Sequence, residues 1–156
     1  MVKELLPGDR APAFRLPSDG GGQVSLSSLK GKPFVLYFYP KDDTSGCTKE
    51  AIGFSKAKRQ FDQLGIEVIG VSKDSVASHD RFKSKYKLKI ALASDPETSV
   101  AKAYGVWVEK SMYGRKYMGM DRSTFLVDGK GIVRAVWRKV KVPGHVEAVL
   151  ATAKNL

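Results

Sequence analysis

The fold is decided by residues 34–39, FVLYFY, and by residues 40–50, PKDDTSGCTKE, which follow them directly. A continuous apolar run of this kind is typical of a strand buried on both faces of a central sheet. Apolar residues then recur at helical spacing until Gly65, which predicts a helix over about residues 47–64. The only cysteine of the chain therefore lies where a strand turns into a helix.

The rest of the chain predicts an α/β fold. Glycines at 20–22 indicate a turn that joins short strands near 14–16 and 24–26, as an N-terminal β-hairpin. Strands at 66–72 and 92–94 are each followed by a helix, and a hairpin over 123–137 precedes a last helix that begins at Pro143. This order predicts a mixed central sheet with helices on both faces. In such sheets the reactive site lies at the carboxyl end of a central strand.

Length and composition indicate a single domain over residues 1–156. Hydrophobic residues make up 42% of the chain and charged residues 28%, as in globular proteins. The apolar runs are far shorter than the roughly 20 residues that span a bilayer, and residues 1–7 lack the apolar stretch of a secretory signal. A single cysteine excludes a disulfide framework and a Cys-based zinc site, so we expect a protein of the reducing cytoplasm.

The charge balance is strongly basic, with 27 Lys and Arg residues against 16 Asp and Glu residues and a net charge of +11. Such a balance can indicate a face that binds nucleic acid or another anion. The lysines are scattered, however, and we identify no aromatic stacking platform interleaved with them. A solvated basic surface is therefore favoured over a nucleic-acid interface.

The neighbours of Cys47 indicate a reactive thiol rather than an inert buried one. A thiol at the start of a helix faces its positive end, which favours the thiolate. Gly46 permits close approach of the backbone to a ligand. Thr44 can cap the helix, as Ser45 can, or aim its hydroxyl at the sulfur. Pro40 directs the chain out of the strand and can shield the sulfur from water.

A second cation near the sulfur would favour the thiolate further, and Arg122 is the candidate. It directly precedes the predicted strand 123–127 and matters only if that strand lies beside residues 34–39. An arginine at a strand start is otherwise a surface residue. Glu50 follows Cys47 by one helical turn, and it is either a surface carboxylate or the acceptor that orients Arg122 through a bidentate pair.

Pro40, Thr44 and Cys47 have the Pro-x-x-x-Thr-x-x-Cys spacing of the peroxiredoxins. Residues 37–50 resemble the bacterioferritin comigratory protein subfamily, also called the Q-type peroxiredoxins. Further stretches that are similar to this subfamily lie at 70–79, 94–95, 102–106, 112–114 and 122–128. The resemblance covers nearly the whole chain in the right order.

The resemblance implies a thioredoxin-like fold with an N-terminal hairpin, and it implies that Cys47 is the peroxidatic cysteine. Its thiolate would attack the O–O bond of hydrogen peroxide or an alkyl hydroperoxide and become a sulfenic acid. Thr44, Arg122 and the amides of Gly46 and Cys47 would stabilise the charge that shifts along S···O···O. No metal, haem or flavin is implied as a cofactor, and the resemblance leans to a monomer.

The sequence departs from many relatives because it lacks a resolving cysteine. The two positions where relatives carry one are Ile52 and Lys83 in this chain. The resemblance is thus to a one-Cys form, in which an outside thiol reduces the sulfenic acid. Glutathione with glutaredoxin, or thioredoxin, are the implied partners. Ser45 replaces the proline that usually precedes Gly-Cys, so we expect slightly more freedom in the turn.

Other classes of function remain open from the residues alone. A non-catalytic basic binding module has weak support from the charge. A thiol–disulfide oxidoreductase usually needs Cys-x-x-Cys, and the second cysteine position is occupied by Glu50. A Cys–His hydrolase would need His79 or His145, and neither is predicted close to Cys47.

A loop-like stretch is predicted before residue 122. It holds Met112, Met118 and Met120, which could line an access path for a hydrophobic substrate, although simple packing is favoured. Trp107 and Trp137 have strand-like neighbours and are predicted to pack rather than to bind a ligand.

Overall fold

The computed structural model describes residues 4–156; residues 1–3, part of the segment expected to lack a secretory signal, lie outside the described residues. The strands, in chain order, are β1 (Arg15–Pro17), β2 (Gln23–Ser25), β3 (Phe34–Phe38), β4 (Glu67–Ser72), β5 (Ala91–Ser94), β6 (Trp107–Met112), β7 (Arg115–Met120), β8 (Ser123–Val127) and β9 (Val133–Trp137). The helices are α1 (Ser45–Gln63), α2 (Val76–Tyr86), α3 (Ser99–Ala103) and α4 (His145–Ala153). Across these residues, no helix combines the length and the apolar character that a membrane span requires.

The central sheet has five strands in the order β5-β4-β3-β8-β9. β3 pairs in parallel with β4 on one side and antiparallel with β8 on the other, so the fully apolar strand occupies the middle. β1 and β2 form a separate antiparallel pair near the N-terminus. The predicted mixed sheet and N-terminal hairpin are confirmed.

The side chains of β3 divide the core into two layers. Phe34, Leu36 and Phe38 pack against the N-terminal hairpin and α3. Val35 and Tyr37 point to the opposite face, where α1, α2 and α4 cover the sheet. Every side chain of this strand is buried, as the apolar run predicts, and the helices lie on both faces.

Two predictions for the second half of the chain are wrong. Residues 107–120 form the β6–β7 hairpin rather than a loop-like stretch, and its turn residues Tyr113 (φ 52°) and Gly114 (φ 76°) have the positive φ values of a tight type I′ turn. The last helix begins at His145 rather than Pro143, because Gly144 has a left-handed conformation (φ 78°) that a helix interior does not permit.

The methionines of that hairpin only partly follow the packing interpretation. Met120 is buried, whereas Met112 and Met118 are 56% and 51% exposed. Trp107 and Trp137 are half-buried against the two core layers, as predicted. The exposed methionines therefore need an explanation other than core packing.

We expect Gly70→Ala to destabilise the fold by about 1–3 kcal/mol, the usual cost of overpacking a core. A Cβ at Gly70 in β4 would lie 2.7 Å from Cζ of Tyr37 and 2.8 Å from its hydroxyl oxygen. Guanidinium chloride unfolding of both proteins measures the change. The same substitution in a Tyr37→Leu background should cost clearly less, and an equal cost in both backgrounds would show that the ring is not the cause.

Candidate active site

Cys47 lies in the first turn of α1, beyond the carboxyl end of β3. The chain leaves β3 at Phe38, and Thr44 is the last extended residue before the helix (φ −95°, ψ 158°). The sulfur-bearing side chain faces the core layer beneath α1 and is only 1% exposed. The predicted strand–turn–helix arrangement is confirmed, with the helix starting at Ser45.

Arg122 reaches the sulfur because β8 pairs with β3. The pairing sets Ser123 opposite Phe38. Arg122 therefore lies next to the thiol turn, the segment 39–46 that leads from β3 to Cys47. Its Nη2 donates a hydrogen bond to Cys47 Sγ at 3.2 Å. Burial lowers the pKa of Arg122, but the negative charges of Glu50 and Cys47 outweigh it and the net pKa is raised, so the guanidinium stays charged.

Glu50 is the second acceptor of the same guanidinium. Arg122 Nη1 donates to Glu50 Oε1 at 2.7 Å, while Oε2 has no hydrogen-bond partner among the described residues. The prediction of a bidentate pair between Arg122 and Glu50 is therefore wrong, because Arg122 divides its donors between the carboxylate and the sulfur. Glu50 is fully buried rather than on the surface. Burial raises its pKa to about 7, against the opposing effect of Arg122.

His145 also belongs to this cluster, although it was not predicted close to Cys47. It begins α4, which packs on α1, and its Nε2 lies 2.8 Å from Thr124 Oγ1 and 4.0 Å from the unpaired Oε2 of Glu50. Burial, with a smaller effect of Arg122, lowers its pKa to about 4, so the ring is neutral at neutral pH. Within residues 4–156 neither His145 nor His79 hydrogen-bonds to Cys47, which argues against a Cys–His nucleophile pair.

Thr44, Gly46 and Pro40 lie in the turn between β3 and Cys47, and each has a different environment. Thr44 occupies the position before the helix, but its hydroxyl donates to the Lys41 carbonyl at 2.9 Å instead of capping α1. The hydroxyl oxygen thus keeps its lone pairs as an acceptor. A Cβ on Gly46 would lie 3.2 Å from Arg122 Nη2, so this glycine makes room for the guanidinium. Pro40 is exposed at the end of the strand.

A buried network that the sequence did not predict fixes the loop before Cys47. Asp42 accepts hydrogen bonds from the Tyr39 hydroxyl at 2.6 Å and from His79 Nδ1 at 2.7 Å, and the Asp42 amide donates to Asp74 at 2.8 Å. His79 Nε2 lies 2.9 Å from the Ala93 carbonyl. Both ring nitrogens face acceptors, so the ring is a cation.

The pKa shifts of this pair agree with the geometry. Burial would raise the pKa of Asp42, but the hydrogen bond from His79 and further donors lower it overall. Burial would likewise lower the pKa of His79, but Asp42 raises it overall. Both shifts favour the charged forms of the two side chains, and the pair ties the turn before Cys47 (residues 39–46) to α2.

A cleft of about 480 Å³ runs beside the first turns of α1 and the start of α4. Its walls include Gly46, Gly53, Val142, Pro143 and Val146. None of the three methionines lines it, which does not support the access path suggested for them. Among the described residues, no cluster of three or more His, Cys, Asp or Glu side chains is arranged to hold a metal ion.

Comparisons with known proteins agree with this geometry. The AhpC/TSA family pattern matches residues 7–136. The putative peroxiredoxin bcp of Coxiella burnetii is 53% identical over 143 residues, covering 92% of this chain and 95% of that protein. Peroxiredoxin Bcp of Bacillus subtilis is 47% identical over 149 residues, covering 96% of this chain and 95% of that protein.

Solved structures extend the similarity to the fold. Peroxiredoxin Q of Xanthomonas campestris has a TM-score of 0.89 at 43% identity, covering 99% of this chain and 97% of that one. A structure from work on the alkyl peroxide reduction activity of the Xanthomonas campestris bacterioferritin comigratory protein has the same TM-score at 42% identity, covering 99% and 98%. The predicted thioredoxin-like fold and the resemblance to Q-type peroxiredoxins are confirmed.

We expect His79→Gln to lower the free energy of unfolding by about 2 kcal/mol at pH 5–6, because a charge-assisted hydrogen bond in the core is removed. The raised pKa of His79 makes its stabilisation complete below the unfolded pKa of about 6.5 and lost as pH rises through the folded pKa. The difference between wild type and variant should therefore shrink above pH 6.5. Denaturant unfolding from pH 5 to 9 measures it.

Arg81→Gln is the matched control for this prediction, because Arg81 is an exposed cation on the same helix. It should leave stability nearly unchanged at every pH. A His79→Gln difference that stays constant from pH 5 to 9 would contradict a charged His79.

Proposed function

Because the chain belongs to the AhpC/TSA family, as a peroxiredoxin of the Bcp or Q type, we propose that Cys47 is its peroxidatic cysteine. Peroxiredoxins are thiol-dependent peroxidases, and this chain is one of them. The observation that carries the proposal is the hydrogen bond of 3.2 Å from Arg122 Nη2 to the only sulfhydryl of the protein. A fixed cation beside the sulfur stabilises the thiolate that the reaction needs.

In the proposed reaction, the Cys47 thiolate attacks the terminal oxygen of a hydroperoxide, ROOH. The S–O bond forms as the O–O bond breaks, so the sulfur is oxidised by two electrons and becomes a sulfenic acid. The leaving RO⁻ takes a proton from solvent and departs as water or an alcohol. The peroxide is reduced by the same two electrons, and no cofactor takes part.

The charge that moves from sulfur to the leaving oxygen needs donors fixed in place. We assign this role to Arg122 and to the backbone amides of Gly46 and Cys47. Amides in the first turn of a helix have no intrahelical partner, and the Thr44 hydroxyl does not cap them, so they remain free for an anion. Thr44 would accept the O–H of the incoming peroxide, because its own proton is donated to Lys41.

The supporting residues act through these groups. Glu50 would orient Arg122 from the core side, and Gly46 would leave space for the guanidinium. Pro40 would shield the sulfur at the open end of the strand. These are positioning roles, and none of the three residues is assigned a bond to the substrate.

Reduction of the sulfenic acid requires a thiol from outside the chain. Cys47 is the only cysteine, and Lys83, at one of the positions where relatives carry a resolving cysteine, pairs with Asp19 at 2.7 Å. An outside thiol would displace water from the sulfenic sulfur, and a second thiol would release Cys47 from the mixed disulfide. Glutathione with glutaredoxin, or thioredoxin, is the proposed donor, acting on a monomer in the cytoplasm.

Hydrogen peroxide and alkyl hydroperoxides are the proposed substrates. The cleft beside Gly46 is large enough for an alkyl group of modest size, and valine side chains line part of its wall. The related Xanthomonas campestris protein has alkyl peroxide reduction activity, which supports the same assignment here. Hydrogen peroxide would react without using the cleft.

We expect Arg122→Gln to slow oxidation of Cys47 by hydrogen peroxide by roughly 100- to 1,000-fold, because a donor to the transition state is removed. Arg122→Lys should also lose most of the rate, since the single nitrogen of a lysine cannot take the two positions that Nη1 and Nη2 occupy beside Glu50 and the sulfur. Stopped-flow oxidation followed by dimedone trapping and intact mass measures the rate and the product.

Arg134→Gln is the control, because Arg134 is an exposed arginine paired with Asp128 on the surface. It should react at the wild-type rate. Wild-type oxidation in Arg122→Gln would remove Arg122 from the mechanism, and a Cys47→Ser protein that still consumes peroxide would refute the proposal as a whole.

We expect Val142→Ser to reduce the rate with cumene hydroperoxide about fivefold and to leave the rate with hydrogen peroxide unchanged, because an apolar wall for the alkyl group is worth about 1 kcal/mol. Val140→Ser is the matched control, because Val140 is a half-buried valine on the same segment that does not line the cleft. Steady-state assays with the two peroxides measure both rates. Equal effects on both peroxides would show that the cleft does not hold the alkyl group.

A further inference from the structure

The β6–β7 hairpin concentrates the exposed apolar surface of the protein. Seven large apolar side chains are exposed among the described residues, and four of them belong to this hairpin: Met112, Tyr113, Tyr117 and Met118. Tyr113 at the turn is 98% exposed. The register sets Met112 and Tyr117 on one face of the hairpin together with Arg115, whereas Met118 and Lys116 lie on the other face. Scattered apolar side chains need no explanation, but apolar side chains that share one face, next to the exposed Tyr113 at the tip, indicate an interaction surface.

The hairpin is also basic. Lys110, Arg115 and Lys116 outnumber the single acid, Glu109. Lys116 and Glu109 approach to 3.8 Å, but both are mostly exposed, so the pair contributes little. The side chain of Arg115 makes no hydrogen bond or ion pair within residues 4–156. Aromatic, methionine and arginine side chains together are the composition that protein interfaces favour.

The base of the hairpin lies at the same edge of the sheet as Cys47. Asp121, next in sequence to Arg122, donates its amide to Val106 at 2.7 Å and closes the base. Lys73 Nζ lies 5.6 Å from the ring centre of Trp107 at the start of β6. The next residue, Asp74, accepts a hydrogen bond from the Asp42 amide in the thiol turn. The hairpin and the thiol turn therefore both contact residues 73–74, which follow β4.

The length of the hairpin is comparable to the size of a small protein domain. A strand of six residues spans about 20 Å, and a small domain of about 100 residues has a radius of gyration near 13 Å. A partner of that size can contact the hairpin and extend over the neighbouring turn before Cys47. A second copy of this chain would set basic hairpin against basic surface, which the net charge of +11 disfavours.

We propose that the β6–β7 hairpin is the docking surface for the protein that reduces oxidised Cys47, and that this partner presents acidic and apolar side chains around its own thiol. The inference rests on the proposed function and names the kind of partner that the same site takes. Steering by opposite charge speeds encounter, and Tyr113 at the tip with Met112 and Tyr117 on one face supplies the apolar contact area.

The test compares wild type with Tyr113→Asn/Arg115→Glu. Asparagine keeps the left-handed turn, so the hairpin can still form. The matched control is Leu64→Asn/Lys154→Glu, which removes one exposed apolar side chain and reverses one exposed charge elsewhere. Peroxide turnover is driven in turn by thioredoxin with its reductase, by glutaredoxin with glutathione, and by dithiothreitol.

With whichever protein reduces the wild type, kcat/KM for that protein should fall about tenfold in the hairpin variant and not in the control. Turnover driven by dithiothreitol should be equal in all three proteins. Added salt should weaken the protein-driven reaction of the wild type and leave the dithiothreitol reaction unchanged.

An unchanged kcat/KM for the protein reductant would overturn the inference, as would a wild type that only small thiols reduce. Self-association, or binding to phosphatidylglycerol vesicles, that the hairpin variant abolishes would assign the surface to another partner and overturn it too. Failure of the dithiothreitol reaction in the wild type would instead refute the proposed function, so the two failures are distinguishable.

Discussion

The site depends on one guanidinium that faces two acceptors inside the protein. Arg122 donates to Glu50 at 2.7 Å and to Cys47 at 3.2 Å. A planar fork of donors that is always charged holds the two acceptors on separate nitrogens in a fixed geometry, whereas an ammonium group is a compact point charge on a flexible stem. The register of β8 against β3 sets Arg122 beside the thiol turn, and a shift by one residue would turn its side chain to the other face.

Stability alone does not account for this arrangement. A buried carboxylate with one oxygen unpaired and with a pKa raised to about 7 is held at a cost to folding. Apolar side chains of similar volume in place of such a pair are often as stable or more so. The cost becomes intelligible if the cation must be held still beside the sulfur while charge moves through the reaction.

The parts that the sequence predicted are those with a local signal. β3 is an unbroken apolar run because both of its faces are buried, and α1 shows helical spacing because one of its faces is. His79 and His145 meet partners 37 and 21 residues away, so their surroundings leave no local pattern. The β6–β7 hairpin was missed because most of its residues are exposed on both faces, which removes the alternation typical of a strand.

The two sides of the thiol turn are held by different forces. On the loop side, Asp42 is fixed by an ion pair and by further hydrogen bonds in the core, none of which involves the sulfur. On the helix side, Arg122 donates a hydrogen bond to Cys47 Sγ, and the proposed reaction needs this sulfur as a thiolate. A sulfenic acid is neutral, so the proposed oxidation would remove the attraction between the guanidinium and a thiolate, while the hydrogen bond would keep its charged donor. The proposed oxidation would therefore weaken a contact on the helix side, where an outside thiol has to reach the sulfur, whereas the contacts of Asp42 on the loop side do not depend on the sulfur.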